Sequence, residues 1–106
     1  VTGFAYNIRS AKRDNMEYFK TFVKKALAVR RLGSAALDLS YVACGRFDGF
    51  WEMNLQPWDC AAGVLIVKEA GGRITKFDES PFSYYDNELV ATNSRVHKQM
   101  IKVLKK

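Results

Sequence analysis

The sequence predicts an α/β fold, and three observations carry that expectation. Short runs rich in β-branched and aromatic residues alternate with longer stretches whose apolar residues recur at helical spacing. Pro57 and Gly71 bracket one helix-length stretch: proline suits the first helical position, where its missing N–H would be unpaired anyway, and glycine tolerates the left-handed turn after the last. Finally, Ala36, Leu37, Leu39, Ser40, Val42 and Ala43 form a segment that is apolar on nearly every side, and a helix of that kind is covered from more than one direction. The 106 residues, 48% hydrophobic and 26% charged, fit one globular domain or a piece of one. A chain of this size buries roughly 60–68% of its unfolded surface, enough for a modest core. No internal repeat, low-complexity tract or interdomain linker interrupts it.

In chain order, Gly3–Ile8 alternates and is aromatic-rich, so it reads as a strand or strand end. Asp14-Asn15-Met16-Glu17 has the shape of a capping box, with a carboxylate in place of the usual hydroxyl. Met16, Phe19, Val23, Ala26 and Leu27 follow at helical spacing, which predicts an amphipathic helix over about 14–28. Residues 29–32 are short and extended. Gly33-Ser34 opens the apolar helix, which Gly45 ends. After a turn at 45–48, Phe47–Glu52 reads as the next strand, and the helix opened by Pro57 runs to about residue 70. Arg73–Phe77 is a strand, Glu79–Asn87 a loop and Glu88–Thr92 another strand. Asn93 or Ser94 then caps a closing helix to about Leu104, with Val96, Met100, Ile101 and Leu104 at core spacing.

Composition removes several classes of function. No apolar run approaches the ~20 residues of a membrane span. Cys44 and Cys60 lie far apart, and His97 is the one histidine, which leaves no set of four ligands for structural zinc. Buried free thiols are favoured over a disulfide. The start, Val1-Thr2-Gly3-Phe4, shows no initiator methionine, basic leader or signal core, so the segment is expected to lie within a longer, cytoplasmic protein. Net charge is +6, concentrated at Lys24-Lys25, Arg30-Arg31 and the tail Lys98, Lys102, Lys105 and Lys106. Basic chains attract phosphates and nucleic acid. These lysines, however, are spread over separate helices without interleaved aromatics for stacking, so a solvated surface is expected and nucleic acid is disfavoured.

The stretch that organises the rest is Glu52-Met53-Asn54-Leu55-Gln56-Pro57-Trp58-Asp59-Cys60-Ala61-Ala62-Gly63, continuing to Glu69-Ala70-Gly71-Gly72. It places Asp59 in the first turn of a helix, with three small residues behind it that permit a close neighbour. As a plain structural feature, an acid there favours the helix terminus by typically 0.3–1 kcal/mol. The Trp-Asp-x-Ala-Ala-Gly and Glu-Ala-Gly-Gly pair resembles the C-terminal signature of the inositol monophosphatase family of magnesium-dependent, lithium-sensitive phosphatases. Relatives in that family act on fructose 1,6-bisphosphate and nucleotide 3′-phosphates. The resemblance runs from Thr2-Gly3-Phe4 to the last helix, yet matches well under half of a family member.

The resemblance implies a place in the C-terminal layers of the family's αβαβα sandwich, and a role for particular residues. Asp59 matches a carboxylate ligand of catalytic Mg²⁺. A helix N-terminus attracts anions, so a carboxylate in its first turn lets one spot hold phosphate and metal together, and Mg²⁺ commonly takes one or two carboxylates plus phosphate oxygens. Glu52 matches a residue that hydrogen-bonds a substrate hydroxyl. An exposed strand-end glutamate is its plainer reading. Gly33, Ser34 and Ala35 match a turn whose backbone and hydroxyl face substrate, although Ser34 is equally explained as a helix cap. Arg30 and Arg31 can meet a phosphate, pair with Asp59 or stay solvated. Tyr6 lies in a segment resembling Gly-Phe-Pro-Tyr, with Ala5 where proline is common; core packing is favoured for it over substrate contact. Glu69, near the wrong end of its helix for an acid, has no account beyond its place in the motif.

The family's other metal ligands, a Gly-Glu-Glu-type glutamate and the Asp-Pro-Ile/Leu-Asp-Gly-Thr motif, belong to its N-terminal half and do not occur here. The chain by itself is therefore expected to be inactive, and the whole protein to be a homodimeric phosphatase of inositol or sugar phosphates. The competing expectation is a non-catalytic folding or assembly module that pairs with the missing half or with itself. Nucleic-acid binding is a third and weaker reading.

Overall fold

The structure is a computed structural model, and it describes residues 1–105; Lys106, counted above with the basic tail, lies outside the described residues. Seven elements follow in order: α1 (Met16–Lys25), α2 (Ala35–Ala43), β1 (Gly49–Met53), α3 (Pro57–Glu69), β2 (Arg73–Thr75), β3 (Glu88–Thr92) and α4 (His97–Leu104). The sheet has the order β1-β3-β2, with both outer strands antiparallel to β3. The expected α/β class holds, as three layers with helices on both faces of the sheet. Strand alternation divides the core. Phe50, Leu89 and Ala91 face α2 and α3, packing with Leu39, Val42, Val64 and Val67. Trp51, Met53 and Val90 face α1 and α4, packing with Phe22, Met100, Ile101 and Leu104.

Two chain segments extend the sheet beyond β1. Thr2 bridges Trp51 in parallel, its hydroxyl donates to the Trp51 carbonyl at 2.6 Å, and its N–H donates to the Arg30 carbonyl at 3.0 Å. Residues 1–2 and 30 therefore run beside the sheet edge. The expected strand over 3–8 is not formed. Past Thr2 the chain folds into turns, with Ile8 N–H donating to the Ala5 carbonyl at 3.1 Å and Ser10 N–H to that of Asn7 at 3.0 Å. Aromatic alternation is misleading here because Tyr6 is wholly exposed.

The helix boundaries differ from expectation for local reasons. α1 starts at Met16 after Asn15, and the Asp14 carboxylate accepts from Met16 N–H at 3.0 Å without a reciprocal bond from Glu17. Its inward face is Tyr18, Phe19 and Phe22, while Met16, Val23 and Leu27 of the expected stripe are exposed. Two helical registers overlap on Phe19, and the one carrying three aromatics buries the larger area. The helix also ends early, with Ala26 extended. α4 begins at His97, not at Asn93 or Ser94: Ser94 has φ 73, a left-handed value that no α-helix contains. Asn93 instead accepts from Arg95 N–H at 2.9 Å. β2 stops at Thr75, because Lys76 N–H turns to the Ser80 carbonyl at 2.9 Å.

His97 is fully buried between β2 and β3, its Nε2 lying 2.8 Å from the Thr75 hydroxyl and its Nδ1 2.9 Å from that of Thr92. Both cysteines are free, but only Cys60 is buried; Cys44 is exposed. Among the described residues no helix is long and apolar enough to cross a membrane. α1 and α4 lie side by side, so Lys20, Lys24, Lys25, Lys98, Lys102 and Lys105 share one outer layer. Tertiary packing thus gathers lysines that are scattered along the sequence.

The α2–α3 contact depends on Gly63. A Cβ there would lie 2.6 Å from Leu39 Cδ1 and 2.7 Å from Leu39 Cβ, closer than carbons pack. Gly63→Ala is expected to destabilise the chain by about 1–3 kcal/mol in urea unfolding, although alanine alone would favour the helix by ~1 kcal/mol. A gain in stability would show that the two helices do not pack as described.

Candidate active site

At the far end of β1 the chain opens into a cleft of about 850 Å³. Two helices begin at its wall: α2, through Ser34 and Ala35, and α3, through Gln56 to Asp59. Ser34 caps α2, its hydroxyl accepting from Leu37 N–H at 3.2 Å. Gly33 before it has φ 88, a conformation open to glycine at little cost. At α3, the Asp59 carboxylate reaches back and accepts from Gln56 N–H at 2.9 Å through Oδ2, while Asp59 N–H donates to the Gln56 carbonyl at 2.9 Å. Each helix N-terminus carries roughly half a positive charge, so their convergence makes a cleft suited to an anion.

Three extended segments, of which β1 alone is a regular strand, bring the rest of the wall. Because Thr2, Arg30 and Trp51 pair as neighbours, the next residue of each segment, Gly3, Arg31 and Glu52, arrives at the cleft together. A Cβ at Gly3 would collide with the Glu52 carboxyl, so glycine is what lets that backbone cross over the acid. Glu52 is only 7% exposed, not the solvated strand-end residue of the plainer reading. Burial is the main reason its carboxyl is pushed up to about 7, followed by the charges of Asp38 and Asp59, with Arg31 opposing. Asp38, on α2, is 1% exposed. Its Oδ1 has no hydrogen-bond partner among the described residues, and burial pushes its carboxyl up to about 6.

Asp59, Glu52, Gly33, Ser34 and Ala35 all line this one cleft. Arg30 does not. Successive residues of an extended segment point to opposite sides, and it is Arg31 that reaches the cleft, 5.9 Å over the Phe4 ring. Arg30 lies in a separate groove and donates to its neighbour's carbonyl, that of Val29, at 3.2 Å. Asp59 makes no ion pair among the described residues and is half-buried at the cleft wall, so it is not locked away. Tyr6, expected in the core, stands wholly exposed at the rim. Residues that sequence reasoning missed also line the cleft: Asn54, Tyr84, Tyr85 and Asn87. Asn54 has φ 62 and donates its N–H to the Asn87 carbonyl at 2.9 Å. An asparagine at a strand end before Pro57 is the available signal, since asparagine tolerates the left-handed region better than most residues.

The donors facing the cleft are carboxylate oxygens, which suit a hard cation and not a thiolate-selecting one. Cys60 does not compete. It is buried in the core with its thiol pushed up by burial and by Asp59 and Glu52. No group of three or more metal-ligating side chains occurs among the described residues.

Both the sequence and the fold match known proteins. The profile of the inositol monophosphatase family matches residues 1–106. The chain is 44% identical over 104 residues to an inositol-1-monophosphatase of Synechocystis, covering 98% of this chain and 36% of that protein. It is 46% identical over 101 residues to the chloroplastic phosphatase IMPL1 of Arabidopsis thaliana, covering 95% and 27%. Among solved structures, an inositol monophosphatase from Anabaena superposes with a TM-score of 0.94 at 43% identity, covering 98% of this chain and 41% of that one. The chain therefore spans only about a third of the length of the relatives it matches.

The buried acid on α2 makes a pH-dependent demand on stability. A carboxyl moved from 3.8 to about 6 binds more protons folded than unfolded between those values, so stability falls as pH rises through that window. Asp38→Asn is expected to unfold at higher urea than the parent chain at about pH 8. The gain is at most ~3 kcal/mol, because each tenfold change in proton affinity is worth about 1.36 kcal/mol. It should shrink as pH falls through that window and vanish only below about pH 3, where the aspartate is largely protonated in both states. A gain equal at both pH values would mean that charge burial is not its source.

Proposed function

The chain belongs to the inositol monophosphatase family, and we propose that it forms the C-terminal α/β part of a Mg²⁺-dependent phosphatase of inositol monophosphate or a related sugar phosphate. The observation that carries this reading is the meeting of two helix N-termini with Asp59 in a single cleft. Helix termini favour the phosphate, and an uncommitted carboxylate oxygen beside them favours a cation that phosphate can share. Bound Mg²⁺ would neutralise charge on the phosphate and supply an activated water. On this reading Asp59 holds one such ion through the oxygen not engaged by Gln56. Gly33, Ser34 and Ala35 leave room at the start of α2 for the ester, and Glu52 reads a substrate hydroxyl. Arg31 takes the role expected of Arg30, as the cation available to the phosphate.

The remaining ligands belong, on this proposal, to an N-terminal half outside these residues. Leu37, Leu65 and Ile66 support it: they expose apolar side chains on α2 and α3, the helices between this sheet and the next layer of the sandwich. Exposure of that kind invites cover. It equally suits the second reading, a folding module that docks on the missing half without chemistry of its own. The whole protein is read as cytoplasmic, homodimeric and lithium-sensitive, with fructose 1,6-bisphosphate as an alternative substrate.

Incubated with inositol 1-phosphate and Mg²⁺, the 106-residue chain is expected to release no inorganic phosphate. In the whole protein, Asp59→Asn should lower kcat by on the order of 10²–10³, the scale on which removal of one electrostatic stabiliser acts. Glu52→Gln should mainly raise KM, by roughly tenfold, equivalent to ~1.4 kcal/mol of lost binding. Turnover by the short chain at the rate of a full-length relative would overturn the assignment of the missing ligands. An Asp59→Asn enzyme of normal kcat would overturn the role given to Asp59.

A further inference from the structure

A second groove of about 670 Å³ opens at the opposite end of β1, sharing no residue with the cleft. It lies under the outer helices, between the end of α1, the extended segment that follows it, and α4. Its lining is largely apolar: Leu27 stands fully exposed at the rim, and the buried Met100 and Val103 of α4 form part of the floor. Its lips carry four cations, Lys25, Arg30, Arg46 and Lys102, against one acid, Asp48. None of the four forms an ion pair among the described residues, and Asp48 already accepts from the Asn93 side chain at 3.4 Å.

We propose that this groove docks an acidic polypeptide segment with an apolar face, whose carboxylates meet the four cations while its apolar side chains cover Leu27. Charge complementarity selects the sign of the partner, and an amphipathic helix laid in an apolar groove is a recurrent mode of recognition. The floor decides against a single-stranded nucleic acid. Binding of that kind needs flat aromatic faces for bases to stack on; of the groove's aromatics, Phe22 and Trp51 are buried beneath it, at 7% and 2% exposure, and Phe47 is half-buried with its ring 5.9 Å from that of Tyr41.

The test uses the 106-residue chain and a fluorescein-labelled amphipathic peptide of about fifteen residues built from Glu and Leu, followed by anisotropy at about 20 mM salt, where charge attraction reaches furthest. Saturable binding is expected. The double variant Lys25→Glu/Lys102→Glu should weaken it at least about tenfold, whereas Lys20→Glu/Lys98→Glu, with the same charge change on exposed lysines outside the groove, should alter it less than about twofold. The indole N–H resonance of Trp51, buried beneath the groove floor, should shift on titration. Equal losses in both double variants would reduce the effect to diffuse attraction and overturn the proposal. So would absence of saturable binding, an unmoved Trp51 signal, or tighter binding of an oligouridylate of equal charge. A parent chain that is dimeric by light scattering, and that Leu27→Glu renders monomeric, would put a second copy in the groove and overturn it as well.

Discussion

The close seating of α3 on α2 is the constraint from which the candidate site follows. Gly63 admits the Leu39 side chain almost against the α3 backbone, and Leu39, Val42, Val64 and Val67 complete the contact with nearly all their surface buried. At this separation the helices cannot slide independently, because interiors pack at crystal-like density and respond to the loss or gain of a single methylene. Both helices start on the same side of the sheet, so fixing their contact also fixes the spacing of their first turns. The cleft is the space between those turns. Its electrostatic character is thus set by core packing, one layer below the residues that line it.

That arrangement explains how an acidic cluster survives in a place where burial works against it. Glu52 and Asp38 sit where water is largely excluded, and the charge of Asp38 adds to the cost of ionising Glu52. An isolated buried carboxylate normally stays neutral or finds a partner. Here the opposing influences are the Val1 ammonium and Arg31 on Asp38, and Arg31 on Glu52, none of them in a direct ion pair with Glu52 or Asp38 among the described residues. A site balanced in this way accepts additional positive charge readily. A cation entering beside Asp59 would relieve the acids, and a phosphate entering with it would meet the helix ends.

Much of this is legible in the sequence, for identifiable reasons. The bracket from Pro57 to Gly71 locates α3 because proline and glycine act through backbone sterics that context seldom overrides. The apolar segment after Ser34 locates α2, and the β-branched and aromatic runs locate β1 and β3. Failures fall where two local signals are degenerate. Residues 15–27 support two helical stripes, and only the shape of the facing sheet chooses the aromatic one. Residues 3–8 alternate, but a turn tolerates alternation as well as a strand does. Asp38 gives no signal because one acid in an apolar helix looks like its solvated edge, yet it is 1% exposed. At the site, the Trp58-Asp59 motif and the turn at Gly33 are visible as local strings, while Asn54, Asn87 and the tyrosines arrive through pairing of strands remote in sequence.

Arg30 and Arg31 show the limit most plainly. As a dipeptide they are interchangeable, each able to meet a phosphate. Thr2 N–H then fixes the Arg30 carbonyl to the sheet edge, the segment is held extended, and alternation sends the two guanidinium groups to opposite sides. One joins the acids and helix ends of the cleft; the other joins Lys25, Arg46 and Lys102 around an apolar floor. A single backbone hydrogen bond thereby gives two identical side chains different chemical company. The two openings lie at opposite ends of β1 and share no residue. The extended backbone thus sorts neighbouring cations into two separate environments, one beside Glu52 and Asp59 and one beside Asp48.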